Sequence, residues 1–187
     1  MRVGPPAGNA LADEIGRGVM KVEVERSPVV SAAEPVELAR IVDDARADRL
    51  GISDVAMLRD SFLMQALCAE VTQHSHIGSL VSNLYVRHPA AVASTLATLN
   101  EISGGRAFLG IGVGAGLSGL GIDQSRPAEL LEEFLAVVVR LLSGEKLDWD
   151  GRHYRVRGAW IDRDIAGRVP VVVGTPASAK PSLVSQK

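Results

Sequence analysis

The residues with the most to offer chemically lie in one glycine-rich run, Gly110-Ile-Gly112-Val-Gly114-Ala-Gly116. Within and just beyond it, Gly114, Gly116 and Gly119 match the spacing G-x-G-x-x-G, where missing side chains let backbone N–H groups approach a phosphate. That fingerprint should follow the first strand of a βαβ unit and run straight into a helix. Here it follows the fourth expected strand, and the next helix begins only after Arg126. Two other readings fit the same glycines. Small residues let a strand and a helix pack closely or let the chain turn, and a βα loop built of them leaves room for a flat cofactor ring. The residues alone leave all three open.

The other reactive side chains are sparse. His74 and His76, with Glu70 upstream, have the composition of a metal set, but a metal needs three or four converging ligands and nothing else points there. They read as an exposed helix end, and no metal is expected. His153 reads as solvent-facing, and His88, just before Pro89, suits a helix cap. Cys68, between Leu67 and Ala69, reads as a buried, inert thiol. There is no G-x-S-x-G elbow and no P-loop lysine pattern. No catalytic residue can be named on these grounds.

The elements that would position such residues alternate. Val19 to Val24 reads as a strand, then a helix from about Glu34 to Arg49 with Val36, Leu38, Ile41, Val42 and Ala45 as its buried stripe. Ser31 with Glu34 fits a capping box, and Glu34-Pro35 fits a cap followed by proline. Ile52 to Leu58 reads as the second strand, Phe62 to Thr72 as the second helix, and Ile77 to Asn83 as the third strand. Pro89 opens a third helix with Val92, Leu96, Leu99 and Ile102 on one face, ended by Gly104-Gly105. Ala107 to Val113 is the fourth strand, and Pro127 to Leu142 the fourth helix, with the strongest apolar stripe in the chain. Asp150-Gly151 predicts a two-residue hairpin turn that sets Trp149 beside Arg152 and Leu147 beside Tyr154. Val169 to Gly174 is the fifth strand. Nearly all-apolar strands separated by helices imply an α/β fold with a helix-covered parallel sheet, either an open doubly wound sheet or part of a barrel.

Composition sets bounds on function. The 187 residues carry a formal net charge of -2, which gives no electrostatic attraction to nucleic acid or an anionic membrane. A single cysteine cannot form an internal disulfide, so a reducing, cytoplasmic setting is expected. No apolar run approaches the roughly 20 residues of a membrane helix. Residues 1–18 read as a loose Gly/Pro/Ala-rich leader, residues 19–175 as the folded unit, and the polar stretch 176–187, broken by Pro176 and Pro181, as a disordered tail.

A resemblance adds to this. Asn83-Leu-Tyr-Val-Arg-His-Pro89, Ala93-Ser-Thr-Leu-Ala-Thr-Leu99, Glu101-Ile-Ser-Gly-Gly-Arg106 and Phe108-Leu-Gly-Ile-Gly112 together resemble the luciferase-like monooxygenase family. The segments Trp149-Asp-Gly-Arg-His-Tyr154 and Pro170-Val-Val-Val-Gly174 continue the likeness, which spans roughly Val36 to Thr175. It is closest to the branch holding F420-dependent reductases. The resemblance implies a TIM-type (β/α)8 barrel, here a partial one of about five βα units with a β-hairpin insertion before the fifth strand. It also implies an oxidoreductase or monooxygenase that uses FMN or coenzyme F420 on a small-molecule substrate. It places a non-proline cis peptide between Leu80 and Val81 behind the flavin ring, and aims Ser82 and Asn83 at the ring's polar edge. Gly112 and Gly114 would leave space beneath the ring, and Gly174 and Thr175 would begin the phosphate-binding region.

The departures bear on activity. The family's F420 enzymes commonly show Asp-His after the second strand, where the aligned pair here is Arg59-Asp60. Ala115 stands where some members have an acidic residue, Leu84 where proline is common, and Leu80 where glycine is frequent. A TIM barrel takes about 250 residues and eight strands, so the sequence reads as C-terminally truncated. Unpaired first and fifth strands would then favour a homodimer or a non-catalytic half-barrel remnant.

Overall fold

The protein, seen in a computed structural model, is described over residues 22–27, 31–164 and 168–174. In chain order the elements are β1 (Glu23–Arg26), α1 (Ala33–Asp44), β2 (Arg49–Ile52), α2 (Ser61–Glu70), β3 (His76–Asn83), α3 (Pro89–Ile102), β4 (Ala107–Gly112), α4 (Pro127–Leu142), β5 (Leu147–Asp150), β6 (Arg155–Ala159) and β7 (Val171–Val173). A short 3-10 turn, Ser118–Leu120, follows β4. The leader, the tail, Val19 to Lys21 and Thr175 lie outside the described residues.

Five strands form one parallel sheet in the order β1-β2-β3-β4-β7, while β5 and β6 make a separate antiparallel hairpin. Consecutive helices touch, α1 on α2, α2 on α3 and α3 on α4. Right-handed crossovers in an unreversed strand order keep every helix on one side of the sheet. An open doubly wound sheet needs a point where the order reverses, and this sheet has none. The arrangement is that of five barrel units, with the hairpin as an excursion between α4 and β7.

Beneath the helices the core falls into two clusters. One gathers Ala39, Val42, Met64, Cys68, Leu50 and Ile77 under α1 and α2, and the other Val92, Leu96, Phe134, Val138 and Leu141 under α3 and α4. The thiol of Cys68 touches the Pro35 carbonyl, and burial pushes it up to about 12, so it stays protonated and inert. The buried row of α1 is Pro35, Ala39, Val42 and Asp43. Ile41 and Ala45 face outward instead of inward, because the helix turns an acidic residue toward the sheet.

Other boundaries move for local reasons. Helix α1 stops at Asp44 and does not reach Arg49, since Arg46 takes a left-handed φ of 58° and turns the chain. Neither expected cap forms there. Ala32 occupies the cap without a side-chain bond, and Glu34 instead pairs with Arg26 at 2.6 Å. The second strand starts at Arg49 and ends at Ile52, so most of the stretch read as strand is loop. A charged residue can open it because Arg49 bonds Glu23 across the ladder at 2.7 Å and lays its guanidinium 5.4 Å from the Phe108 ring centre. Helix α3 and helix α4 take the expected bounds, and His88 caps α3 by accepting the Ala90 N–H at its Nδ1. Only Ile102 of the α3 face is exposed, in the last turn.

The hairpin pairs in another register than turn chemistry predicts. Asp150 faces Arg155 and Trp149 faces Val156, which leaves Gly151 to Tyr154 as a four-residue loop. The reason is a carboxylate. Glu133 on α4 accepts the N–H groups of Arg152 (2.8 Å), His153 (3.1 Å) and Tyr154 (3.3 Å), the first and last of which a two-residue turn would commit to the partner strand.

At the opposite end of the sheet from the glycine-rich loop, Asp43 plays a similar part. Its two oxygens accept the N–H groups of Gln73, His74 and Ser75, each at 2.8 Å, tying α1 to the α2–β3 connection. Arg106 secures the same connection from β4 by donating to the carbonyls of Ser75 (2.5 Å) and Thr72 (2.7 Å). Burial works against charge on Asp43, which is 7% exposed, but the three N–H groups outweigh it and hold the carboxyl at about 2 against an ordinary 3.8. A depressed carboxyl stabilises the fold above its unfolded value, and this is lost as pH falls through the folded value. Asp43→Asn should therefore cost about 2 kcal/mol at pH 7, with the deficit vanishing as pH falls from about 4 through about 2. Urea unfolding of both proteins across that range checks this, and a deficit independent of pH would refute it.

Candidate functional site

The C-terminal ends of all five parallel strands converge on a cleft of about 590 Å3. β1 supplies Glu25 and Ser27, the loop after β2 supplies Ser53, Asp54 and Val55, and β3 supplies Leu80 and Val81. The stretch Gly112 to Ala115 comes from β4 and its loop, and Gly174 follows β7. Barrel chemistry is done at this end because strand ends from different units meet there on flexible loops.

The cleft has its shape because β3 bulges. Four residues of β3, Ser79 to Ser82, span three of β4, Leu109 to Ile111. The Leu80–Val81 peptide within the bulge is cis, where the family resemblance puts it. Leu80 rests on Gly51, where a Cβ would overlap its own. Val81 lies in a trough of missing side chains: a Cβ on Gly110, Gly112 or Gly174 would come within 3.3 Å of its methyl groups. The glycines of β4 and β7 thus accommodate the bulge of β3. Gly114 does the same for the next residue, since a Cβ there would overlap that of Asn83, and its φ of 79° also favours glycine. Of the three readings of the glycine run, close packing is the one these contacts display.

Leu80, Val81, Gly112, Gly114 and Gly174 thus line the cleft. Ser82 and Asn83 lie a layer deeper, each 1% exposed. Ser82 Oγ donates to Asp54 Oδ2 at 2.6 Å, and Asn83 Oδ1 accepts the N–H groups of Tyr85 and Val86, both at 3.0 Å. The amide nitrogen of Asn83 is buried without a partner. Thr175 lies outside the described residues.

Glu25, Ser27, Ser53, Asp54, Val55 and Val113 were not picked out from sequence, and Ala115 only as a departure from the family. The signal for Ser53, Asp54 and Val55 depended on where β2 ends. The strand ends at Ile52, so Arg59-Asp60, read from sequence as the pair after the second strand, lies several residues beyond it. Asp60 instead caps α2, accepting the Phe62 and Leu63 N–H groups, and pairs with Arg87. Burial would raise its carboxyl, but Arg87 and those N–H groups hold it below the ordinary range. Arg87 in turn stacks 4.8 Å from the Phe62 ring centre.

Chemically, the cleft has apolar walls of Val55, Leu80, Val81 and Val113, floored by glycine. Its polar part is two carboxylates, Glu25 and Asp54, with the hydroxyls of Ser27 and Ser53, and no cation is among the described lining residues. Ser53 Oγ is shared between the Glu25 carboxylate and, at 3.2 Å, the Leu80 carbonyl. Such walls suit a flat aromatic group, and the orphaned Asn83 amide beside Gly114 is a donor that a ring carbonyl would satisfy. Among the described residues no cluster of His, Cys, Asp or Glu could hold a metal, and no helix is long and apolar enough to cross a membrane.

Comparison with known proteins agrees with this geometry. The sequence pattern of the luciferase-like monooxygenase family matches residues 13–180. The 5,10-methylenetetrahydromethanopterin reductase of Methanolobus tindarius is 34% identical over 153 residues, covering 81% of this chain and 46% of that protein. The Archaeoglobus fulgidus protein of the same name is 31% identical over 157 residues, covering 83% and 47%. The solved coenzyme F420 dependent tetrahydromethanopterin reductase from Methanopyrus kandleri superposes with a TM-score of 0.78 at 25% identity, over 83% of this chain and 50% of that one. The FMN-bound oxygenating constituent of 3,6-diketocamphane monooxygenase from Pseudomonas putida shares the fold at a TM-score of 0.68 and 21% identity, over 82% and 51%. The chain spans about half the length of the curated relatives it matches.

The packing role of the glycines makes a sharp contrast within one motif. Gly114→Ala must strain a positive φ and displace Asn83, and should cost about 2 kcal/mol or more. Gly119→Ala meets nothing within 4 Å and should stay within about 0.5 kcal/mol of the native protein. Equal effects in thermal unfolding would contradict the packing account.

Proposed function

The chain belongs to the luciferase-like monooxygenase family, and from that premise we propose that it forms the ring-holding part of an F420- or FMN-dependent oxidoreductase acting on a small organic substrate. The observation that carries the reading is the cleft at the strand ends, walled on one side by the Leu80–Val81 bulge and on the other by the Gly112 to Ala115 loop. F420 is the preferred cofactor, because the Methanopyrus kandleri enzyme described as F420 dependent has the greater likeness of the two solved structures above. When bound, such a cofactor supplies hydride or, as reduced flavin, oxygen chemistry.

The protein's share is to bind and orient. Leu80 and Val81 would give the ring an apolar shelf, and the buried Asn83 amide would be the donor for a ring carbonyl. Glu25, near the end of β1, lines the cleft as a carboxylate that accepts the Ser53 hydroxyl and would face a substrate bound there. The reaction belongs in a reducing compartment, the cytoplasm, with Cys68 buried out of reach.

A second reading is a non-catalytic half-barrel that pairs with another copy of itself. It is favoured by β1 and β7, each of which has one strand neighbour within the described sheet.

Titration of the purified chain with F420 and with FMN, followed by cofactor fluorescence, tests the main reading. Weak binding of either is expected, and Ala115→Trp, a substitution at an exposed position on the cleft wall, should abolish it without loss of fold. Binding of NAD with neither F420 nor FMN would overturn the reading, as would binding that Ala115→Trp leaves intact.

A further inference from the structure

We propose that Ser53, Asp54 and Ser82 form a latch that fixes the β3 bulge and thereby the Leu80–Val81 wall of the cleft, which makes Asp54 and Ser82 positioning residues for the ring. The ring itself rests on the function proposed above, whereas the latch rests on contacts within the chain. Regular pairing between β2 and β3 ends at Ile52 with Ser79. Beyond that point two consecutive residues of the loop engage three consecutive residues of β3. Ser53 Oγ reaches the Leu80 carbonyl at 3.2 Å, the Asp54 N–H donates to the Val81 carbonyl at 3.2 Å, and Ser82 Oγ donates to Asp54 Oδ2 at 2.6 Å.

The chemistry of the third contact is the telling part. Asp54 is 8% exposed and Ser82 1%, and removing a carboxylate from water is costly unless it is hydrogen-bonded. An apolar pair would fill the same space. A carboxylate accepting a hydroxyl gives a short, directional bond instead, and direction is what a bulge without ladder partners lacks. The consequence for the cleft follows from Val81. Its methyl groups occupy the trough over Gly110, Gly112 and Gly174, so a β3 segment free to rotate would lift them into the space meant for the ring. The latch keeps the trough filled and the cleft clear.

The test uses the whole chain and two readouts. The first is hydrogen exchange of the Asp54 amide, which donates to Val81, set against the core amides of Ile77 and Leu109, which donate to Arg106 and Pro170. Ser82→Ala and Asp54→Ala should each speed exchange at Asp54 by about tenfold or more, the loss of roughly one hydrogen bond, with Ile77 and Leu109 unchanged. Asp54→Asn, which keeps an acceptor for the Ser82 hydroxyl, should restore most of the protection. If Ser82→Ala does not fold, Asp54→Ala decides. Unchanged exchange in the alanine variants, or Asp54→Asn as loose as Asp54→Ala, would overturn the latch. The second readout is titration with FMN and with F420, where the alanine variants should bind about tenfold more weakly than the native chain and Asp54→Asn nearly as well. Native-like binding by the alanine variants would overturn the positioning role. Failure of the native chain to bind either cofactor would count against the proposed function, while the exchange measurement would still decide the latch.

Discussion

The cleft depends on the absence of three side chains. Gly110, Gly112 and Gly174 leave a trough on the sheet into which Val81 settles, and a methyl group on any of them would push Val81 back toward the cleft. The β3 bulge, the loop that grips it and the open space above it all presuppose that trough. Dense packing makes such dependence stiff: an interior at crystal-like density has no slack to absorb even one added carbon. Another glycine contact of this kind works on the same terms, for a Cβ on Gly78 would overlap the Phe108 carbonyl and ring and part β3 from β4.

Carboxylates do the tying that apolar packing does elsewhere. Asp43 gathers three N–H groups at one end of the sheet, Glu133 gathers three at the hairpin loop, and Asp54 takes a hydroxyl at the cleft. In each case an acceptor-only side chain from one element meets donors that irregular backbone or a bulge has left without ladder partners. Tyr154 completes the set from the hairpin, its hydroxyl donating to the Leu84 carbonyl at 3.0 Å and its ring edge-on to His88. The hairpin is thereby fastened to the connection that leaves the cleft wall.

What the sequence disclosed follows from the range of each force. Helices α3 and α4 were legible to the residue because proline fixes their starts, and the His88 cap and the glycines after Ser103 act within a few residues. The five parallel strands and the hairpin's place outside the sheet were legible from apolar runs and turn residues. The start of β2 was not, because Arg49 joins the sheet through Glu23 and Phe108, both distant in sequence. That one misplaced boundary hid Ser53, Asp54 and Val55, the part of the cleft's rim that grips the bulge. The hairpin register escaped for the same reason, since Glu133 lies nineteen residues from the Arg152 amide it binds. The glycines were noticed, but only coordinates reveal that their neighbours are Val81 and Asn83.

The unreversed strand order also bears on how such a molecule is made. Each of β2, β3 and β4 pairs with its predecessor in the chain, and each helix after α1 touches the one before it. The growing sheet therefore needs nothing that has yet to leave the ribosome: every finished unit offers its free edge as the template for the next, and synthesis is slow enough, at about 5–20 residues per second, for docking to keep pace. Only the hairpin interrupts this accretion, holding β7 back until α4 and the antiparallel pair have emerged. Assembly by successive addition also makes the βα unit the natural quantum of change, so that a lineage can lengthen, pair or recombine such sheets by whole units without rewriting the contacts already laid down.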